Sequence, residues 1–394
     1  MTIKYIDELS IENKRVFIRV DFNVSMKDGK IKDDTRIRAA LPTIEYALSK
    51  NAKVILGSHL GRPKGKGFEE KYSMEPVAER LSELLGNKKV IFPEDCVGDA
   101  IKKLSKDMEP GQVMLLQNLR FHAEEERNDD NFSKQLASLC DIYINDAFGT
   151  SHRAHASTAG MAKFVSVKGA GFLMKKEVES LGKIVSNPEK PFVAILGGAK
   201  VSDKIAVIEN LLNLVDELIV GGGMAFTFLK AKGFTIGKSL FEEEKVHTAN
   251  KILERAATKG IPILLPVDHV VASEISDTAK SEVTKDANVP EGTMGLDVGP
   301  KTIEEFSKAI SKAKTIFWNG PLGVFETEQF SKGTMTIAKL VADSNAMTVI
   351  GGGDSVTAVN KAKVADKITH ISTGGGASLE FVEGRKLPGL TALE

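Results

Sequence analysis

Of the 394 residues only two are cysteine, Cys96 and Cys140. That is too few for a disulfide framework, and their positions lack metal-ligand spacing, so both are expected as buried or incidental thiols. No run of about 18 apolar residues occurs, which argues against a transmembrane helix, and Met1 to Ser10 lacks the basic and apolar regions of a signal peptide. A cytoplasmic address is the expectation. Net charge is absent too: 53 Lys and Arg balance 53 Asp and Glu, with a pI near 7.1. Nothing therefore favours a global electrostatic grip on nucleic acid or an anionic membrane, and the partner should be small. Two nucleotide signatures are also missing. There is no G-x-G-x-x-G, so a dinucleotide-dependent dehydrogenase loses its main support. The nearest approach to a Walker loop, Gly233-Phe234-Thr235-Ile236-Gly237-Lys238-Ser239, is one residue short and follows a helical pattern, so it is a decoy.

Arginine is scarce in the second half. It stands at 15, 19, 36, 38, 62, 80, 120, 127 and 153, and afterwards only at 255 and 385, while lysine runs throughout. The planar guanidinium fork suits bidentate capture of carboxylate and phosphate, so the two halves are expected to hold different anions. With 42% apolar and 27% charged residues, the chain is long enough for two domains with separate cores.

What the chain does contain centres on Thr348 to Val359. A β-branched strand end runs into Gly351-Gly352-Gly353, and Asp354-Ser355 then reads as an N-cap before a helical pattern. Free amides and the helix dipole make such a terminus a receptor for phosphate. Asp354 is an anion in that anion site, a conflict resolved if Mg²⁺ arrives with the phosphate. A Gly-rich turn with an acidic cap is the plain alternative for one such loop. Yet Phe192 to Leu196 before Gly197-Gly198, Leu218 to Val220 before Gly221-Gly222-Gly223, and Ile371 before Gly374-Gly375-Gly376 repeat the grammar. Parallel α/β sheets bind ligands at the carboxyl ends of their strands, so the pattern points to a nucleotide lying across that edge.

In the first half, the Arg15 to Val20 strand runs into Asp21-Phe22-Asn23, turn formers that can also orient a substrate's hydroxyl or carboxylate groups. Asp33-Asp34-Thr35 precedes a helical pattern that places Arg36 in its first turn, where a cation opposes the dipole and is better explained by an incoming anion. A further strand ends in Ser58-His59-Leu60-Gly61-Arg62, another carries Arg120 at its end, and Glu124-Glu125-Glu126 reads as a solvated charge run. Ile142 to Asn145 leads into His152-Arg153-Ala154-His155. Metal, general-base and anion readings are all open there. The metal reading fares worst because Arg153 sits between the candidate ligands, and Arg153 as an anion contact with supporting histidines is favoured. Arg36, Arg62, Arg120 and Arg153 then form a basic cup past the strand ends.

An amphipathic helix from about 171 to 186 connects the halves and is the expected hinge. Lys200 and Lys204 fall one helical turn apart at a helix start, where two ammonium groups repel unless a phosphate joins them. Ile261 to Asp268 reads as a strand, followed by a polar excursion to about Pro290. Gly292 to Pro300, including Gly295, reads as a flat, flexible, apolar wall for a purine, and Glu326 as an acceptor for ribose hydroxyls or simply an exposed acid.

Taken together, R-V-D-F-N at 19–23, S-H-L-G-R-P at 58–63, N-L-R-F at 118–121, H-R-A-H-A-S at 152–157, G-G-A-K-V-S-D-K at 197–204, W-N-G-P-L-G-V-F-E at 318–326, G-G-G-D-S at 351–355 and T-G-G-G-A-S at 373–378 resemble the phosphoglycerate kinase family over essentially the whole chain. The resemblance implies an α/β fold with two doubly wound parallel-sheet domains joined by a hinge helix: 1–171 for phosphoglycerate, with the tail 379–394 packing back on it, 172–186 as connector, and 187–378 for nucleotide. It implies reversible, Mg²⁺-dependent transfer of the acyl phosphate of 1,3-bisphosphoglycerate to ADP, giving 3-phosphoglycerate and ATP, by a monomer. By motif, Asp21, Phe22, Asn23, Arg36, His59, Leu60, Gly61, Arg62, Arg120 and Arg153 match the phosphoglycerate site. Lys200, Lys204, Gly295, Glu326, Gly352, Gly353, Asp354 and Ser355 match the nucleotide site, with Asp354 at the metal and Arg36, Lys200 and Lys204 as catalytic cations. Ser25 departs from the family, which usually has proline after D-F-N-V; altered loop stiffness with intact chemistry is expected. A solute-binding protein, which would need a secretory signal, and another kinase or ATP-grasping ligase, which would lack the arginine loops, are the competing classes.

Overall fold

Strands such as Val16-Phe17-Ile18 and Val193-Ala194-Ile195-Leu196 are apolar without alternation, the pattern of strands buried on both faces by flanking helices. In the computed structural model, which describes residues 3–394, they build two six-stranded sheets in which every pairing is parallel. The first sheet runs Val90–Ile91, Val113–Leu115, Lys53–Gly57, Arg15–Arg19, Ile142–Asn145, Val167–Ala170. The second runs Ile263–Leu264, Glu217–Val220, Phe192–Leu196, Thr315–Asn319, Met347–Gly351, His370–Ile371. In chain order the second sheet reads 3-2-1-4-5-6, the doubly wound Rossmann order, whereas the first reads 3-4-2-1-5-6. In both, the direction of winding reverses beside the first strand, which opens a crevice at its carboxyl end.

The chain divides into two compact units, one running to Glu179 and including Lys386–Glu394, the other Ser180–Arg385. The division falls inside the Phe172–Ser186 helix, and the Gly375–Val382 helix belongs to the second unit. The last segment is tied into the first unit, where Asn145 Nδ2 donates to the Gly389 carbonyl at 3.1 Å. Each unit has its own core, with Ile18, Phe22, Ile44 and Leu56 in one and Ile195, Phe306, Trp318 and Ile350 in the other. No helix among the described residues is long and apolar enough to cross a membrane.

Some local expectations are corrected. Of the Ile261–Asp268 stretch only Ile263–Leu264 pairs as a strand, since prolines on both sides cannot donate to a ladder. The excursion that follows is not structureless: His269–Ala272 pairs antiparallel with Glu282–Val283 on one side and Met294–Val298 on the other, making a three-stranded sheet. Met294 to Val298 is accordingly a strand, not a flexible wall. Three short strands, Met26–Lys27, Lys30–Ile31 and Val90–Ile91, offered too little periodicity to read.

Candidate active site

Register decides which loops meet. Arg19 lies level with Gly57 on one side and Asn145 on the other, and Leu56 level with Leu115, so the segments after these strands leave from one sheet edge. Arg36 reaches that region from the first turn of the Thr35–Ser49 helix, where Nη1 donates to Asp21 Oδ2 at 2.8 Å. Asn23 Oδ1 accepts the Gly61 amide at 2.8 Å, which pins the D-F-N turn against the His59–Arg62 loop. Gly61 has φ +63°, and a Cβ there would stand 2.4 Å from the Tyr72 ring, so both backbone and space require glycine. Arg120 lies not at a strand end but in the Leu119–Phe121 3₁₀ turn, because the strand stops at Leu115. Arg62 and Arg153 are exposed. Ser25 is exposed too, its carbonyl accepting the Lys32 amide at 2.9 Å, so the departure from proline touches no site residue.

His59 and His155 report how these groups cluster. Both are buried, and both are held uncharged first by desolvation and then by surrounding cations: Arg19, Arg120 and Arg36 around His59, and Arg120, Arg19 and Arg153 around His155, whose imidazole is lowered to about 3. Four guanidinium groups thus converge on two neutral imidazoles. Arg120 is deeply buried, its Nη1 donates to the Gly61 carbonyl at 3.1 Å, and Nη2 has no partner. Its Nε lies 3.1 Å from Glu126 Oε1, an ion-pair distance without hydrogen-bond alignment. Buried donors are rarely left unmatched, so this surplus of cationic donors suits an incoming anion.

Beneath the cup is a support that the sequence reading missed. Arg19 is fully buried; its Nε donates to Ser157 Oγ at 2.7 Å and its Nη2 lies 3.3 Å from His59 Nδ1. The Ser157 hydroxyl in turn donates to Glu125, which also accepts the Ser157 amide at 2.9 Å. Glu125 is 0% exposed, and burial raises its carboxyl pKa against the opposing pull of Arg19 and Arg120. The glutamate run is therefore not a solvated face: its middle member is an internal counter-ion and Glu126 faces Arg120. The one available sequence signal was R-V-D-F-N itself, whose first residue continues a buried strand and must find a partner inside.

In the second unit Asn319 is level with Leu196 and Gly351, and Leu196 with Val220, so the glycine-rich loops also leave one edge. Much of the glycine there serves backbone packing. A Cβ on Gly197 would stand 2.1 Å from the Pro321 carbonyl oxygen, and one on Gly222 2.7 Å from the Gly198 amide nitrogen, whereas Gly353 faces open space. The loops border a cavity of about 280 Å³ whose lining includes apolar Phe226 and Leu322, Gly198 and Gly295, and the carboxylates of Glu326 and Asp354. Gly295 is bound through its amide to Ser239 Oγ at 2.9 Å.

Two expectations fail here in detail. Asp354-Ser355 is not the N-cap: the helix is Gly353–Lys361, its N-cap is Gly352 at φ +92°, and Ser355 Oγ accepts the Gly320 amide at 2.6 Å. Only glycine turns the chain that sharply without cost, so the helix begins earlier and Asp354 lies in its first turn. Lys200 and Lys204 do not share a helix face either, because Lys200 is in the loop and the helix proper is Ile205–Leu211. Lys204 is buried and its Nζ donates to the Asn319 carbonyl at 2.8 Å and to the Asn319 side-chain oxygen. Burial lowers its ammonium to about 8, partly opposed by Asp203 and Asp354. Asn319 Nδ2 is buried beside Gly352 without a partner.

Comparison with known proteins agrees with this fold. Residues 6–385 match the family model for phosphoglycerate kinase. The chain is 58% identical over 396 residues to a phosphoglycerate kinase of Anaeromyxobacter sp. (strain Fw109-5), covering 100% of both, and 55% identical to one of Clostridium tetani, covering 99% of this chain and 97% of the other. Among solved structures, phosphoglycerate kinase from Coxiella burnetii superposes with a TM-score of 0.91 at 46% identity, covering 100% of this chain and 99% of that one. The enzyme from Pyrococcus horikoshii OT3 gives 0.84 at 36% identity, covering 98% of each. Sequence and architecture agree over the full length, and the chain belongs to the phosphoglycerate kinase family.

Proposed function

We propose that the chain transfers the acyl phosphate of 1,3-bisphosphoglycerate reversibly to ADP, with the 3-phosphoglycerate carboxylate as acceptor in reverse. The observation that carries this reading is the gathering of Arg19, Arg36, Arg120 and Arg153 about His59 and His155, with Arg120 Nη2 buried and without a partner. Asp21, Phe22, Asn23, His59, Leu60, Gly61, Arg62, Arg120 and Arg153 form the phosphoglycerate site on this reading. Gly295, Glu326, Gly352, Gly353 and Ser355 form the nucleotide site, where the amides of the Gly353–Lys361 helix and the free Asn319 Nδ2 are donors for phosphate. Arg36, Lys200 and Lys204 meet the group in flight. In-line phosphoryl transfer requires positioned cations more than covalent help, and these residues supply them.

Asp354 is a carboxylate on the lining of a phosphate-competent cavity, the donor that Mg²⁺ takes together with phosphate oxygens, so the residues fit that ion. Asp354 would hold the ion, which would supply neutralisation of charge on the nucleotide phosphates. Asp354→Asn should raise the Mg²⁺ concentration needed for half-maximal rate by about tenfold or more, with the Michaelis constant for 3-phosphoglycerate little changed. A magnesium titration of the rate that superposes on wild type removes Asp354 from this role.

Lys204 gives the reading a pH signature. Its ammonium is present below about 8 and lost above it, so kcat/KM for ATP should fall as pH rises through that value, while Lys204→Arg stays flat there. Between about 8 and the ordinary 10.5 the unfolded chain holds a proton that the folded chain has released, so folding stability rises with pH across this window. A wild-type profile with no descending limb near 8 contradicts the assignment.

Water competes for the phosphoryl group, so we further propose that the units close about the connecting helix once both ligands are bound. A phosphoglycerate-binding first unit and a nucleotide-binding second unit, a monomeric state and a cytoplasmic location complete the proposal. The direct test is a coupled assay with ATP and 3-phosphoglycerate; folded protein that gives no signal eliminates the activity.

A further inference from the structure

We propose that Asp95, Cys96 and His122 form a binding site for a divalent transition-metal ion of the zinc or cobalt class, which phosphoryl transfer does not use. One ligand atom from each, a carboxylate oxygen, Sγ and a ring nitrogen, lie within 4.8 Å of one another. Tetrahedral zinc, with Zn–S near 2.3 Å and Zn–N near 2.0 Å, sets such atoms about 3.3–3.7 Å apart, so His122 Nε2 and Asp95 Oδ1, now 2.7 Å apart, open slightly while the trio as a whole needs only small side-chain movements to supply three ligands.

The trio is already organised by its own contacts. His122 Nε2 lies 2.7 Å from Asp95 Oδ1, and the same oxygen accepts the Cys96 amide at 2.7 Å. Asp95 Oδ1 therefore joins the Cys96 backbone to the His122 imidazole. The His122 ring stacks on Phe132 with centroids 5.2 Å apart, which fixes the face it turns to Asp95. Cys96 is buried, His122 half-buried and Asp95 exposed, so an ion enters from the carboxylate side and keeps a fourth position for water. Mixed sulfur, nitrogen and oxygen donors select zinc or cobalt over Mg²⁺, which wants oxygen alone. The sequence hides the site because Cys96 and His122 follow different strands. Val90–Ile91 and Val113–Leu115 are neighbours in the first sheet, which brings the two loops together. Coordination expels to solvent both the Cys96 thiol proton and the Nε2 proton that His122 gives to Asp95, and His122 holds its remaining ring proton on Nδ1, so that Nε2 turns its lone pair to the ion.

The test is titration of the full-length, nucleotide-free protein with Co²⁺ under a non-thiol reductant. The expected result is a saturable near-ultraviolet thiolate-to-cobalt charge-transfer band at one ion per chain, with the visible ligand-field bands of a four-coordinate ion. Cys96→Ser abolishes the charge-transfer band and Cys140→Ser keeps it. His122→Ala and Asp95→Asn each weaken affinity by about tenfold or more. These two carry the test if Cys96→Ser does not fold, with circular dichroism confirming that they do. The inference is overturned if folded wild type gives no such band, if the band survives Cys96→Ser, or if both His122→Ala and Asp95→Asn bind cobalt as tightly as wild type.

Discussion

Arg36→Ala is expected to lower turnover by about 10³-fold while the Michaelis constant for 3-phosphoglycerate moves only a few-fold. A cation in the first turn of the Thr35–Ser49 helix opposes the helix dipole, and that turn holds no acid to offset it. Among the described residues its ion-pair partner is Asp21, at 2.8 Å, and the side chain keeps 38% exposure. An arginine so placed retains donors for charge that appears during transfer, and an interaction made only then lowers kcat when removed. The ion pair with Asp21 is partly solvated, so its loss should cost no more than about 1 kcal/mol of stability. Single-turnover and steady-state kinetics on the folded variant separate the possibilities: a raised Michaelis constant with intact turnover shows that Arg36 merely binds the ground state.

The largest effect on folding should come from Glu125→Ala, at about 3–5 kcal/mol in a denaturant titration. The carboxylate is wholly enclosed, it takes both the amide and the hydroxyl of Ser157, and Arg19 on the other side of that hydroxyl is itself 0% exposed. Removing the anion leaves the guanidinium of Arg19, which is enclosed with it, without its buried counter-charge. Glu125→Gln, which keeps one acceptor oxygen and the volume, should fall between the two. Because Arg19 Nη2 also touches His59, the alanine variant should raise the Michaelis constant for 3-phosphoglycerate as well. A stability change within about 0.5 kcal/mol, the range of an ordinary surface substitution, refutes the internal counter-ion.

These residues divide what could be read along the chain from what could not. Strand followed by glycines is a local pattern, and the four glycine-tipped strands do lie in one sheet. Arg36 was legible as a helix-start cation because helix phase and dipole depend on a few neighbours. Lys204 was half legible: its charge was noticed, but burial on Asn319, 115 residues away, was not. Glu125 was misread because three adjacent acids look alike until a helix phase and a partner at Ser157, 32 residues on, assign one of them to the interior.

By itself, then, the sequence determined the longer strands of the two parallel sheets, the glycine edges, the segregation of arginine into the first half and, through its motifs, the family. Tertiary structure alone decided which charges are internal, which lysine is desolvated, and that Asp95, Cys96 and His122 meet. The reason is one of range: hydrogen-bonding pattern and side-chain periodicity repeat within a few residues, whereas burial and the pairing of charges depend on strand order and register, which join segments far apart in the chain.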